Sequence, residues 1–397
     1  MNQIDLLRRQ KINYYHKLSS DRKIISLVVI FIKRIIRKLL GFLFIPVIEE
    51  INEYNERLLD VLDCQRSGST GIDMGYDAIG TSKKLQQHHI EELSGYCIGD
   101  EVLLSRYADE NAQPLEGYYT DFTGVRTSPT ALSGLRDRIG KVIKDLPFPD
   151  DSVHAPTIEY CSLYHVIEHS KDTFTMFELG AGWGPWMAYA AQACKVRGIT
   201  NINVIGIEGE TNKIPLIKEH LYINGFRSNN EELSQHHEGV FSKIINGIVD
   251  IEDGIVDFPE VDVDSYDATI LETTSIKANK MLTLPAFSIE TLLADYDKVD
   301  FVHFDIQGHE YSVIKSAIAA LTSKVRFMCI GTHSRKIEGD LIELLSEKGW
   351  QLLREFPCLF NKDCKSESLI DRTFFDGTQF WQNISDLEGQ RKDLGHV

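Results

Sequence analysis

Apolar residues in the second half of this chain come in short runs, each followed by a longer amphipathic stretch. The runs at 174–179, 202–207, 235–241, 267–271, 300–305, 325–331, 350–355 and 378–382 have the length and composition of buried strands. The stretches near 185–197, 211–224, 288–295, 309–322 and 337–348 predict helices. Strand and helix alternate throughout, which implies a parallel sheet with helices on both faces. The expected fold class is α/β: a doubly wound, mostly parallel, Rossmann-like sheet with an N-terminal helical and irregular extension. In such sheets a ligand lies beyond the carboxyl ends of the strands.

The pattern upstream is different. Ile51, Tyr54, Leu58, Leu59 and Leu62 recur at helical spacing within 49–66, and the polar stretch Ser67 to Lys83 reads as a linker. From His88 to Tyr160 the apolar runs are short and irregular, closing on Pro147-Phe148-Pro149-Asp150-Asp151. Three parts are expected: a basic helical segment over 1–66, a lead-in over 67–165 that packs on the core and recognises the acceptor, and a core domain over 166–397.

Charge sharpens this division. The net charge of −17 over 397 residues is unevenly spread. The first 48 residues carry ten Lys or Arg against two acids, a surplus of +8 that leaves −25 for the remainder. So acidic a body repels phosphates and argues against a nucleic-acid partner. At the front, Ile24 to Ile32 and Leu39 to Ile45 flank Lys33-Arg34-Ile35-Ile36-Arg37-Lys38. Neither apolar run reaches the ~18–20 residues that span a bilayer. On a helix, Lys33, Arg34, Arg37 and Lys38 share one face, opposite Ile32, Ile35, Ile36, Leu39 and Leu40. That pattern fits a helix lying in an anionic membrane surface through residues 22–45; it fits equally a helix that docks on the protein's own core or on a partner. A ~20-residue polar leader and the lack of a small-residue cleavage site argue against a secretory signal. The expected location is cytoplasmic, peripheral at the inner membrane face. Seven cysteines with no C-x-x-C pair read as reduced thiols, not a zinc site.

The richest local signal is Phe177-Glu178-Leu179-Gly180-Ala181-Gly182-Trp183-Gly184, where three alternate glycines end a strand and open a helix at Pro185. Glycines there allow a sharp turn and let a ligand lie against bare main chain. The next strand ends in Glu208, where a nucleoside ribose would offer its hydroxyls. The dinucleotide fingerprint needs a third glycine at position 185, which is Pro185, so a diphosphate reader is disfavoured. An acid followed by G-x-G-x-G resembles motif I of class I S-adenosylmethionine methyltransferases. That resemblance implies S-adenosylmethionine as cofactor and a seven-stranded methyltransferase sheet. It implies that Glu178 helps hold the cofactor's amino-acid end, that the turn Gly180, Ala181, Gly182, Trp183, Gly184 passes beneath it, and that Glu208 and Gly209 meet its ribose side.

A second signal is Val299-Asp300-Phe301-Val302-His303-Phe304-Asp305-Ile306-Gln307-Gly308-His309-Glu310, a strand, a glycine turn and a helix start. D-I-Q-G-x-E in that place is similar to the FkbM family of methyltransferases. The similarity covers roughly 170–355 and includes Asn224-Gly225-Phe226 and Gly331-Thr332-His333-Ser334; the first ~150 residues lie outside it. The resemblance implies methylation of a hydroxyl on a sugar or another natural product.

That reaction explains the residue types. Displacement at a sulfonium is in line, so most of the catalysis comes from holding the acceptor oxygen on the methyl axis. A sugar hydroxyl must also lose a proton, which needs a positioned carboxylate or imidazole. Asp305, His309, Glu310 and His333 are the groups the strand ends would bring together. Asp305 is favoured as orienter or base and His333 comes next. His309 reads equally as an exposed helix-start residue, and Glu310 as an acid that offsets the helix dipole. Asp305 with Glu310 or Glu272 could offer oxygen ligands to a divalent metal. Without the adjacent acidic pair of magnesium-dependent sugar methyltransferases, no metal site is assigned. His236 and His237 point to opposite faces of a strand and cannot share a site. Trp183 and Trp186 flank the turn as pocket wall or core, and Arg126 reads as an exposed loop residue or a clamp for an acidic acceptor. The sequence therefore points to an O-methyltransferase acting on a glycan or lipid-linked sugar. Its rivals are a methyltransferase of a small secondary metabolite, a catalytically silent scaffold of the same fold, and an NAD oxidoreductase weakened by Pro185.

Overall fold

The computed structural model describes residues 95, 97, 99–147, 155–229, 231–263, 266, 280–361, 364–366, 370 and 372–384. All belong to one compact unit, Gln86–Val397. The basic segment 1–66 and the strand expected at 267–271 fall outside the described residues.

In chain order the unit begins with helix α1 (Asp100–Ser105), a short hairpin of β1 (Tyr119–Thr120) and β2 (Arg126–Thr127), and α2 (Thr157–Glu168). Then follow β3 (Thr173–Leu179), α3 (Pro185–Val196), β4 (Asn201–Glu208), α4 (Ile214–Ile223), β5 (Ser234–His237) and β6 (Val240–Asn246). A smaller insertion holds β7 (Ile248–Val249), β8 (Gly254–Glu260) and β9 (Lys280–Phe287), followed by α5 (Ile289–Leu292). The chain closes through β10 (Val299–Phe304), α6 (Glu310–Ser316), α7 (Ile318–Lys324), β11 (Val325–Thr332), α8 (Arg335–Glu347) and β12 (Trp350–Phe356). A two-stranded ribbon, β13 (Leu359–Phe360) with β14 (Thr373–Phe375), precedes β15 (Gly377–Asn383).

The main sheet has eight strands in the order β12-β15-β11-β10-β3-β4-β6-β5. Strands β6, β4, β3, β10 and β11 are parallel. Only β15, paired antiparallel with β11 and β12, and the edge strand β5 run against their neighbours. The first core strand, β3, is central. The chain winds outward through β4 and β6, then returns to lay β10 on the other side. That reversal between β3 and β10 is a topological switch point, where the strand ends diverge and leave a crevice.

Six of the seven residues of β3 are buried, as a strand covered on both faces requires. One core layer packs Tyr160, Tyr164, Trp186, Ala190, Ile217 and Leu221 of α2, α3 and α4 against Phe174, Met176 and Phe301. The other packs Ile289, Val313, Leu321, Leu341 and Leu345 against Phe177, Val302 and Phe304.

Several local expectations change. The run 235–241 is not one strand, because Glu238 and Gly239 take left-handed backbone (φ 51° and 82°) and fold it into the β5–β6 hairpin. The third parallel strand is therefore Val240–Asn246, and β5 adds an eighth strand to the seven expected. The helix expected at 309–322 breaks at Ala317 into α6 and α7. Helix α2 escapes the pattern because nine of its twelve residues are buried, leaving no polar face to mark a period. The lead-in is pinned to the core: Asn224 accepts from the Arg126 amide at 2.8 Å and donates to the Arg126 carbonyl at 2.9 Å, and Tyr189 donates to Asp121 at 2.6 Å. Arg126 thus sits half-buried at the C-terminus of α4. Among the described residues no helix is long and apolar enough to cross a membrane.

Candidate functional site

The crevice at the switch point is an open cleft with about 610 Å³ of empty space including its mouth. Its floor is the glycine turn after β3, its far wall the insertion β7–β9, and its near wall the turn after β10.

The turn fits only glycine at key points. Gly180, Gly182 and Gly184 have φ of 79°, 56° and 72°, a region that costs other residues about 1–2 kcal/mol each. A Cβ on Gly180 would collide with the carbonyl of Asp305, and one on Gly184 would press within 2.9 Å of Ile217. The turn is further tied by the amides of Gly180 and Ala181, which donate to the Ile207 carbonyl at 3.0 and 2.9 Å.

Glu208 is the hub of the floor. Its carboxylate accepts from the Gly182 amide at 2.6 Å and from the Glu210 amide at 2.7 Å. Burial pushes its pKa up, and the nearby Lys213 charge and those two amides push it back. Beside it, Lys213 and Glu210 form an ion pair at 2.5 Å with both side chains 2% exposed. The Lys213 ammonium also lies 4.1 Å from the centroid of the Tyr266 ring. Across the cleft, His309 Nε2 is 3.0 Å from Asp250 Oδ1. The Lys213 ammonium is thus already paired and the His309 ring is taken up by Asp250, while Glu208 and Asp305 make the lining acidic. A pyrophosphate would find no partner; an uncharged nucleoside or a cation would.

Of the residues expected to meet the cofactor, Gly180, Gly182, Glu208 and Gly209 line the cleft. Glu178, Ala181, Trp183 and Gly184 do not. Glu178 faces the opposite side of the sheet, where it accepts from the amides of Trp186 at 3.2 Å and Met187 at 2.9 Å. It caps α3 and so holds the turn from behind. Burial pushes its pKa up to about 8, against the opposing effects of His303 and the two amides. Trp183 packs with Ala131 and Leu216 and meets Tyr266 edge-on at 4.9 Å, while Trp186 lies in the core.

Of the expected acid–base residues, three converge and one does not. His333, buried at the end of β11, has Nε2 3.2 Å from Asp305 Oδ1 and Nδ1 2.9 Å from Glu310 Oε1. Glu310 Oε1 also accepts from the amides of Ile306 and Gly308 at 3.1 Å each, so it shapes the turn that bears Asp305. Gln307 and Gly308 are both left-handed (φ 55° and 100°), and Gln307 donates to Asp305 Oδ1 at 2.9 Å. Burial raises the Asp305 pKa, but the contact with His333 outweighs it and holds the carboxyl below its ordinary value. His309 turns away to Asp250. Glu272 lies outside the described residues, and among those described no three His, Cys, Asp or Glu side chains are grouped to hold a metal.

Sequence reasoning missed Lys213, Glu210, Asp250, Tyr266 and the apolar wall of Ile248, Val249 and Phe258. A signal for the wall was present: Ile248-Val249 and Ile255-Val256-Asp257-Phe258 are strand-forming runs opened by Gly247 and Gly254. It serves the cleft closely, since a Cβ on Gly209 would collide with Ile248 and come within 2.9 Å of Phe258.

The sheet order, the glycine turn at the switch point and the acid after β4 define a class I S-adenosylmethionine-dependent methyltransferase fold. That fold implies S-adenosylmethionine. The residues suit it: an apolar slot for a purine, Glu208 for ribose hydroxyls and an acidic surround for a sulfonium. The chain is 26% identical to a protein of Jannaschia sp. (strain CCS1) described as "Putative methyltransferase", over 253 residues that cover 61% of this chain and 85% of that one. No family model matches the chain. Among solved structures, methyltransferase FkbM from Methylobacillus flagellatus KT overlaps with a TM-score of 0.32 at 16% identity, covering 53% of this chain and 44% of that one. A precorrin-6y C5,15-methyltransferase from Geobacter metallireducens GS-15 overlaps with a TM-score of 0.31 at 10% identity, covering 57% and 87%.

Proposed function

We propose that this protein is an S-adenosylmethionine-dependent O-methyltransferase whose acceptor is a hydroxyl of a glycan or lipid-linked sugar. The observation that carries the reading is the convergence of Gly180, Gly182 and Glu208 with Asp305 on one cleft at the switch point. Gly180, Gly182, Glu208 and Gly209 would hold the nucleoside, and Ile248 and Phe258 would cover its purine. The cofactor, when bound, supplies a sulfonium methyl: the acceptor oxygen forms the new C–O bond as the S–C electron pair returns to sulfur. The chain's own part is to orient that oxygen, exclude water and take the hydroxyl proton. Asp305 is the acidic group beside the turn with its side chain 44% exposed, so it can reach an incoming hydroxyl.

Calorimetric titration with S-adenosylhomocysteine, beside a Gly182→Trp variant, tests the cofactor. Micromolar binding that the variant loses supports the reading; no binding by a folded wild type ends it in favour of a silent scaffold. Screening sugars against small polyketide-type hydroxyl compounds then separates the two acceptor classes. The basic, apolar front of the chain supports a lipid-linked acceptor. It predicts binding to anionic vesicles that weakens with salt and vanishes when residues 1–48 are deleted. Binding that survives the deletion refutes that part.

A further inference from the structure

We propose that Asp305, His333 and Glu310 form one ion-pair chain in which His333 stays an imidazolium, Glu310 positions it, and Asp305 Oδ2 is the atom offered to the acceptor hydroxyl. This deepens the proposed function and rests on it for the acceptor.

The geometry assigns the three roles. His333 is 4% exposed, and its two ring nitrogens face two different carboxylates at 2.9 and 3.2 Å. A neutral imidazole has one N–H and one lone pair, so it would set that lone pair against an anionic oxygen in a buried site. Only the doubly protonated ring meets both carboxylates without that repulsion; the Nδ1 contact is one of charge at 2.9 Å, since Nδ1 has no aligned hydrogen-bond partner. The charged groups that face His333 are Glu310, Asp305 and Asp376, all acidic, and together they raise its pKa well above 6.5 against the opposing effect of burial. Glu310 is fully buried and spends Oε1 on His333 and on the amides of Ile306 and Gly308. It does not line the cleft. It is therefore a positioning residue, not an acid or base in the reaction.

Asp305 is the end of the chain that meets solvent. Both of its side-chain partners, His333 Nε2 and Gln307 Nε2, lie on Oδ1. Among the described residues none bonds Oδ2, which leaves that oxygen for a ligand. Two groups that face Asp305, His333 and His303, favour its ionised form, and the Glu178 carboxyl on the neighbouring strand opposes it. Such a carboxylate is a weak base. It suffices here, because a neutral hydroxyl that accepts a methyl from a cation gains positive charge on oxygen and its proton becomes strongly acidic. What the reaction needs is a carboxylate ionised at every working pH and fixed in direction; the proton then ends on Oδ2.

The test is a side-chain NMR titration of the full chain labelled in its thirteen histidines, with the His333 signals assigned by their loss in His333→Asn. In the wild type His333 should titrate well above 6.5, and in Glu310→Gln its titration should fall by roughly one to three pH units. A wild-type His333 that titrates at or below 6.5, or a Glu310→Gln variant that leaves its titration unmoved, overturns the proposal. Should Glu310→Gln fail to fold, the wild-type titration alone decides. S-adenosylhomocysteine calorimetry on the same samples keeps the two readings apart. A charged His333 in a protein that binds no S-adenosylhomocysteine refutes the cofactor assignment and the acceptor role of Oδ2, while the ion-pair chain stands.

Discussion

The carbonyl oxygen of Asp305 fills the space that a Cβ on Gly180 would need, so the turn after β3 and the end of β10 interlock with no room for a side chain. Gly180→Ala should therefore cost about 1–2 kcal/mol in left-handed strain and roughly 1–3 more in overpacking. S-adenosylhomocysteine affinity should fall with it. Gly254→Ala is the control, since nothing lies within 4 Å of its Cβ position. Urea unfolding of both variants decides the matter; equal stabilities would mean the interlock is not rigid.

Lys213 and Glu210 carry a second expectation. Both side chains are 2% exposed, and Glu210 also accepts from the Val261 amide at 3.0 Å. Lys213→Met leaves a buried carboxylate uncompensated and should destabilise by about 3–5 kcal/mol. The double variant Lys213→Met/Glu210→Gln should recover most of that loss, because it removes the stranded charge as well. A double variant no more stable than the single one would show that the pair is not what holds this wall of the cleft.

The scaffold and the two turns were legible in the chain for a physical reason. Runs such as Phe174 to Leu179 are buried on both faces and must be apolar, and the backbone at Gly180, Gly182 and Gly184 admits little else. The partners of the site were not legible. Asp250 meets His309 across 59 positions of sequence, and Tyr266 meets Lys213 through a ring face, contacts that no local period encodes. Glu178 shows the limit most plainly. Its motif position was readable, but β3 alternation turns it to the face opposite the cleft, where it caps α3.

Stability should fall as pH rises above 6.5. The folded-state pKa of His333 lies well above its ordinary 6.5, so its contribution is fully present below 6.5 and is lost as pH climbs through the folded value. Asp305 acts in the opposite sense: held below its ordinary 3.8, it contributes above that value and fails as pH drops through the lower one. Where one proton differs between folded and unfolded chains, the slope is about 1.4 kcal/mol per pH unit. Chemical denaturation of wild type and His333→Asn across this range should show a shallower decline in the variant. Parallel curves would mean that His333 is not the titrating group.

Glu178 offers a choice between two roles that ligand chemistry can separate. As a cap, it acts on any ligand that needs the glycine turn; as a contact for the cofactor's amino-acid end, it acts only on ligands that have one. S-adenosylhomocysteine has that end and 5′-methylthioadenosine lacks it. Because Glu178 is 1% exposed and bonded to the amides of Trp186 and Met187, Glu178→Gln should disturb the turn itself. Its side-chain NH2 would confront an amide N–H, at a cost of about 1–3 kcal/mol in stability. Both ligands should then weaken alike, by roughly tenfold, about 1.4 kcal/mol. A loss confined to S-adenosylhomocysteine would return Glu178 to the amino-acid end of the cofactor, and would require the carboxylate to swing around the turn when the ligand binds.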